Sequence, residues 1–474
     1  MPRSLRQFLD VLRKQELLRV IDKPVNRDWE ISAVCRTYFS KTDPRTRPAL
    51  LFTNVIGSSL PVLVGAVAGS HQIYGLALGI DPSAILAEFS KKWARALENP
   101  LSPKMVAEGP CQENVVYGDQ CDVTKLPNPI WTRAHDPGPF FTAGSLISRS
   151  PESGIINVGM YRSQVKGPRR LGVHFTAAYK HLNQHIQAAA RAGHKLPVVL
   201  AVGVDPTLSI TSVSAVPYDV DEMAVAGALL GEPMEVVKAK TCDLPVPASA
   251  EIVIEGEIDP TTLFEEGPFG EYPGYMGPKG VFPEITVNCI THRTNPILQC
   301  VLSQMPPSES SLMRSVQRES KVYAFLKDTL KLRVRDVFVT ESGGGGALVY
   351  ISMDKRFAGE VAQAATGVWS IEPTLGKFTI VTDSDIDIRN PFNMEWAVAF
   401  RTRPDKDISV YKDMAPLGLD PSLFPPGLVK GTEEITGSKV LIDATMKFTY
   451  PDQSLPPKED LQKVQASWGE YRLG

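Results

Sequence analysis

Leu5, Phe8, Leu9 and Leu12 recur at the three- and four-residue spacing of one helix face, and Ser4 stands where a side-chain oxygen can accept from the free N–H groups of a first turn. The pattern predicts an amphipathic opening helix. Apolar runs at Ala49 to Phe52 and Pro61 to Val67 are separated by turn residues, and a helical pattern spans Pro82 to Leu97. Together they predict a small α/β unit ending near Pro100 to Pro110.

From about Val115 to Leu298 strand-like runs dominate: Ile155 to Val165, Leu196 to Val204, Glu251 to Ile258 and Ile285 to His292. Only two helical patterns interrupt them, at His181 to Ala192 and Glu222 to Leu230. So few helices predict an antiparallel sheet or partial barrel; a Rossmann unit would alternate strand with helix and carry G-x-G-x-x-G, which is missing here. A charged helical pattern from Ser311 to Leu330 reads as a connector into a third, α/β unit. That unit comprises a strand Ala347 to Met353, a helix Arg356 to Ala365 and a strand Lys377 to Val381. Gly343-Gly344-Gly345-Gly346 reads as a flexible turn, because no Lys-Ser or Lys-Thr follows as in a phosphate loop. The polar tail Pro451 to Gly474 holds a predicted helix, Lys458 to Arg472, whose Leu461, Val464 and Trp468 are expected to pack on a neighbouring domain or subunit.

With 474 residues and 43% hydrophobic content the chain exceeds one ordinary core, so two or three domains are expected. A net charge of −3, from 50 basic and 53 acidic side chains, gives no field suited to nucleic acid or an anionic membrane. The six cysteines are scattered without Cys-x-x-Cys spacing and read as reduced and mostly buried. With no basic-then-apolar leader and no apolar run near the roughly 20 residues of a bilayer span, a cytoplasmic, soluble protein is expected.

Three segments can carry chemistry. In Glu266-Gly267-Pro268-Phe269-Gly270-Glu271 the Gly-Pro and Phe-Gly pairs bend the backbone, so that two carboxylates can turn toward one cavity. Close, partly buried carboxylates do not both ionise cheaply, and the one that keeps its proton is a candidate general acid. Solvated glutamates around a surface turn are the plain alternative. Arg162 lies five residues after Asn157, so a regular strand would aim them at opposite faces unless a bulge near Gly159 reorients the chain. Arg162 can hold a substrate carboxylate through parallel hydrogen bonds or pair with a glutamate; otherwise it is an exposed arginine on a sheet edge. Glu222 opens a helical pattern, where its charge offsets the helix dipole, and together with Asn157 and an imidazole it would also suit Mg²⁺ or Mn²⁺ beside a phosphate. His174, His181, His185 and His194 lie in the same region, His181 and His185 at i, i+4. Asp383-x-Asp385-x-Asp387 imitates a calcium loop, but Ile388 and Met394 replace the required Gly and Glu, so it reads as a turn at a strand end.

In order and spacing, Asn157 to Arg162, the Glu222 helix start, Glu266 to Glu271 and Asp383 to Asp387 resemble the UbiD-type decarboxylases, closest to the hydroxybenzoate and aromatic-acid branch. The likeness runs from the opening helix to Ile442-Asp443-Ala444-Thr445 and Tyr450-Pro451. It implies an α+β, multidomain fold: an N-terminal α/β domain (1–114), a central split β-barrel that binds flavin (115–305), a linker helix (306–330) and a C-terminal α/β oligomerisation domain (331–474). Dimers or hexamers are the implied assemblies. The implied cofactor is prenylated FMN, made by a separate flavin prenyltransferase, with its phosphate held through Mn²⁺ or Mg²⁺ and a K⁺ nearby. By position, Asn157 and Glu222 would ligate the metal, and Asn157, Met160, Tyr161, Arg162 and Glu222 would line the cofactor. Arg162, Glu266 and Glu271 would form the acid/base network, with Glu271 the proton donor.

One position departs from the family pattern. Where a metal-binding His is expected the chain reads Ala178-Tyr179-Lys180-His181, and a gap-free count sets Tyr179 or Lys180 there. His181 is the expected ligand after a small register shift; His174, or no third ligand, are the alternatives. The activity implied is reversible, non-oxidative loss of CO₂ from an aromatic, heteroaromatic or α,β-unsaturated carboxylic acid. Two other readings compete: an inactive flavin- or phosphate-binding scaffold, which has no evident need for paired carboxylates, and a metal-dependent hydrolase, which fits poorly with the sparse His and Asp ligands.

Overall fold

The computed structural model describes residues 3–175, 180–423 and 435–471. Its first helix, Leu5–Lys14, is capped by Ser4, whose side chain accepts from Gln7 N, and it buries Leu5, Phe8, Leu9 and Leu12 as the spacing predicts. Beside it lies a four-stranded sheet of Leu18–Ile21, Ala49–Phe52, Val62–Val64 and, from far along the chain, Leu298–Cys300. Arg6 forks onto the fully buried Glu251, with Nε and Nη2 at 2.9 and 2.8 Å from its two oxygens. That pair ties the first helix to the start of the longest strand.

The largest sheet has nine strands among the described residues. Its order is Phe140–Phe141, Ser163–Gly167, Arg170–Val173, Gly280–His292, Ile252–Glu266, Leu196–Val202, Ser145–Arg149, Ile156–Met160, with Asn114–Tyr117 also paired to Gly280–His292. Ile156–Met160 and Ser163–Gly167 stand six places apart in that order, about 29 Å across a flat sheet at ~4.8 Å per strand. Only Tyr161 and Arg162 join them, a link that reaches at most about 11 Å. The sheet must therefore curl until its two ends nearly meet, and with no pairing between those ends among the described residues it is an open barrel. Leu146, Leu171, Val198, Leu200, Ile254 and Val287, all fully or almost fully buried, belong to its core.

Two strands outrun the sequence pattern. Ile252–Glu266 continues eight residues past Ile258, and its partner begins at Gly280 rather than Ile285. Asp259, Pro260 and Pro283 look like breakers, but the pairing absorbs them by shifting register between Ile258 and Leu263. The extension delivers Glu266 to the mouth of the barrel.

The expected connector is the helix Glu309–Ala324, continued by one π turn over Phe325–Thr329. It leads into a five-stranded sheet ordered Val334–Val339, Leu348–Met353, Phe378–Asp383, Gly437–Ala444, Ile408–Met414, parallel at its centre and antiparallel at both edges. The helix predicted from Arg356 starts at Gly359, because Arg356 N and its guanidinium both bond Glu360. Asp383 and Asp385 pair with the buried Arg401, which accounts for the calcium-like run as a turn at a strand end. The tail helix spans Lys458–Ala466 and buries no side chain; Leu461, Val464 and Trp468 stay exposed, so its expected packing is not made among the described residues. Arg472 lies outside the described residues. No described helix is long and apolar enough to cross a membrane.

The glycine run is not a flexible loop. Gly345 has φ +68°, and a Cβ there would stand 2.5 Å from Ser311 O and 2.7 Å from Arg314 Cβ. Bare backbone is what lets this turn lie on the connector helix, and Arg318 Nη1 clamps it by donating to Gly345 O at 2.5 Å. Gly345→Ala is therefore expected to destabilise the protein by at least about 2 kcal/mol, from positive-φ strain plus a backbone clash, read as a lower thermal unfolding midpoint.

Candidate active site

Arg162 follows a strand rather than lying within one. The expected bulge near Gly159 is not the device: Gly159 pairs regularly with Leu146, and the strand simply stops at Met160. The Tyr161 ring folds back over Gly159, where a Cβ would stand 2.3 Å from its Cε2. This turn frees Arg162 from the strand's alternation and aims it at the end of the long hairpin.

There its guanidinium meets both glutamates. Nε and Nη2 donate to Glu266 Oε1 and Oε2 at 3.0 and 2.8 Å, and Nη1 donates to Glu271 Oε1 at 2.6 Å. The Phe269 ring centroid lies 5.2 Å from the guanidinium carbon. Glu266 is 1% exposed and Glu271 is partly open to the cavity. Burial raises the pKa of Glu271, opposed first by the charge of Arg162 and then by that of Arg314. These are the surroundings of a carboxyl that can hold a proton for transfer.

A second cluster lines the same cavity, whose volume is ≈ 550 Å³. Glu222 opens the helix Glu222–Leu230, capped by Asp221, and is 4% exposed. Its Oε2 accepts from Val158 N at 2.8 Å, while Oε1 lies 3.8 Å from His181 Nδ1 at the start of the helix His181–Ala192. Asn157, 3% exposed, lines the same wall. An amide, a carboxylate and an imidazole suit a hard or borderline divalent cation, so the residues fit the metal expected here. Met160 and Tyr161 line the cavity between the two clusters.

The histidines separate by role. His185, one turn after His181, is fully buried with Nδ1 2.9 Å from Ser148 Oγ, and burial lowers its pKa to about 4. The i, i+4 spacing is thus not a metal-ligand pair. His174 lines the cavity with its ring edge-on to Phe282, and His194 is exposed. Tyr179 lies outside the described residues, and Lys180 lines the cavity.

The sequence reading missed one wall. Met313, Arg314 and Gln317 of the connector helix face the cavity, and Gln317 Nε2 donates to Ser214 Oγ at 2.9 Å and Tyr74 Oη at 3.2 Å. Their helical spacing was the available signal, but a polar helix face looks the same whether it meets solvent or a cavity.

Family models match three stretches of the chain, all described as parts of UbiD, the 3-octaprenyl-4-hydroxybenzoate carboxy-lyase. They are its N-terminal domain at residues 9–93, its Rift-related domain at 104–306 and its C-terminal domain at 311–444. An uncharacterized protein of Synechocystis sp. is 30% identical over 510 residues, covering 100% of this chain and 97% of its own. Among solved structures, the UbiD-class enzyme HmfF from Pelotomaculum thermopropionicum in complex with FMN has a TM-score of 0.85 at 33% identity, with 98% and 99% of the two chains covered. The apo 3,4-dihydroxybenzoic acid decarboxylase from Enterobacter cloacae has a TM-score of 0.84 at 28% identity, with 98% and 99% covered.

The fork at Arg162 makes a stability prediction. Arg162→Gln leaves two carboxylates in a largely desolvated place without their cation, which is expected to cost about 3–5 kcal/mol near neutral pH. Losing Arg162 also removes the main opposition to the raised pKa of Glu271. The folded variant then binds a proton that the unfolded chain releases, so its stability rises as pH falls through the window above the ordinary carboxylate value. Thermal unfolding of both proteins from pH 8 down to pH 5 is expected to show the deficit shrinking.

Proposed function

The chain belongs to the UbiD family of carboxy-lyases, and on that premise we propose that it catalyses reversible, non-oxidative decarboxylation of an aromatic, heteroaromatic or α,β-unsaturated carboxylic acid with prenylated FMN. The observation that carries this reading is the Arg162 fork, which is backed by the buried Glu266 and holds Glu271 in the same cavity as Asn157, Glu222 and His181. Loss of CO₂ leaves an electron pair that side chains cannot absorb, and the modified flavin, when bound, supplies the electron sink.

The protein's own groups do the rest. Asn157, Glu222 and His181 would hold a divalent cation, Mn²⁺ or Mg²⁺, that neutralises the cofactor phosphate; Met160 and Tyr161 would line the flavin. Glu266 spends both oxygens on Arg162 and fixes its plane, so that the guanidinium can address the substrate carboxylate. Glu271, its pKa raised by burial, is the group that delivers a proton to the carbon that loses CO₂. In the reverse direction the same carboxylate takes that proton back.

Two variants test the assignment. Glu271→Gln is expected to lower turnover by about 10²- to 10⁴-fold while flavin stays bound, measured as CO₂ release alongside the flavin absorbance of the purified protein. Ordinary turnover would remove Glu271 from the mechanism. His181→Ala is expected to weaken metal binding by at least about tenfold and to lower both metal and flavin content, measured by elemental analysis and absorbance. Unchanged metal content would take His181 out of the ligand set.

A further inference from the structure

Gln317 brings to the cavity an acceptor whose direction the protein fixes. Its Nε2 donates to Ser214 Oγ at 2.9 Å and to Tyr74 Oη at 3.2 Å. A side-chain amide can turn either end to such partners, so the partners' own protons decide which end they meet. Ser214 spends its proton on Ile210 O, 2.7 Å away and four residues back along the chain. Its Oγ can therefore only accept from Gln317, and the end of the amide that meets it is the NH₂. Oε1 is left to the cavity that Gln317 lines, and among the described residues no donor reaches it.

The anchors of the amide are firm. Tyr74 is fully buried, and Ser214 follows directly on Ser212, whose carbonyl accepts from Met160 N at 3.0 Å, with only Val213 between them. Turning the amide over would set its oxygen against the lone pairs of Ser214 and forfeit the bond made there. Lys180 and Arg314 bring positive charge to the same cavity, and the Arg314 guanidinium carbon lies 4.0 Å from the centroid of the Tyr272 ring. An amide oxygen does the opposite of such cations: it attracts an N–H or O–H and repels an anion. Once a ligand has displaced the water, an acceptor left without a donor carries a desolvation cost.

We infer that Gln317 Oε1 is a specificity element that accepts a hydrogen bond from an uncharged N–H or O–H of the bound ligand, so that this point of the cavity selects for a donor and against an anion. Two groups carry that chemistry, a ring hydroxyl of an aromatic acid and the imide N–H of a flavin ring. The inference rests on the decarboxylase reading only for the choice of these probes. A site built around one buried hydrogen bond rejects the analogue that lacks the donor far better than an apolar wall rejects an extra methylene.

The test compares ligand pairs that differ in the donor, for the unmodified chain, Gln317→Leu, which removes the acceptor, and Gln317→Glu, which keeps an oxygen in its place. FMN and 3-methyl-FMN are titrated into the protein with Mn²⁺ and followed by flavin fluorescence. The FMN-loaded protein is titrated calorimetrically with 3- and 4-hydroxybenzoate, each against benzoate. In the unmodified chain at least one pair is expected to differ by about 5- to 50-fold in favour of the member with the donor. Gln317→Leu is expected to bring that pair within about threefold, and Gln317→Glu to retain the difference, which a misfolded variant would not. The pair that responds identifies the donor: hydroxybenzoate over benzoate places it on the acid, FMN over its methylated analogue on the flavin. No difference within any pair for the unmodified chain, or a difference that survives Gln317→Leu, overturns the inference. CO₂ release is read separately: its absence with every acid would overturn the decarboxylase reading, while the binding ratios still decide the role of Gln317.

Discussion

One positive charge holds the centre of this protein together. Arg162 donates three hydrogen bonds to two carboxylates in a place where none of the three groups could stand alone without a large desolvation cost. To bring them together the chain ends one strand at Met160, folds the Tyr161 ring over a residue without a side chain, and carries another strand out to Glu266. The curl of the large sheet is part of the same arrangement, since the Tyr161–Arg162 link is also what draws its two ends together. A network that is fully satisfied in this way is rigid, and rigidity is what a proton-transfer site requires.

The connector helix fixes the other wall. Glu309 in its first turn is completely buried and accepts from Gly65 N, Val67 N, Ala68 N and Leu302 N. Burial raises its pKa to about 6, and the four backbone N–H groups work against that shift. The helix start is thereby welded to the N-terminal sheet. Farther along, Glu319 accepts from Val339 N and pairs with Arg389, which also grips Asp336 at the edge of the C-terminal sheet. Met313, Arg314 and Gln317 project from the stretch between these two anchors, so the cavity's composition depends on both flanking units holding the helix in place.

Two helices that bear the site were legible in advance for a local reason. His181–Ala192 and Glu222–Leu230 start and stop where the pattern places them, because both end at a glycine with positive φ. The carboxylate pair was legible because Gly-Pro and Phe-Gly bend the chain whatever surrounds it. The long hairpin was read too short, since Pro260 and Pro283 act as breakers in isolation and are tolerated only because the partner strand shifts register to meet them. The glycine run was read as loose because a sequence cannot display the helix that lies against it.

Patterning, turn chemistry and residue type, which act over a few residues, thus determined the succession of elements and the bend that carries Glu266 and Glu271, while resemblance to the family joined these to Arg162 and marked the Asn157 and Glu222 positions. Only the tertiary structure decided that His181 and not His185 faces Glu222, that the tail helix finds no partner among the described residues, and that Arg314 enters the cavity. Each of these turns on which surface a helix presents to residues far away in sequence, and that is set by the packing of whole sheets and helices around a shared core.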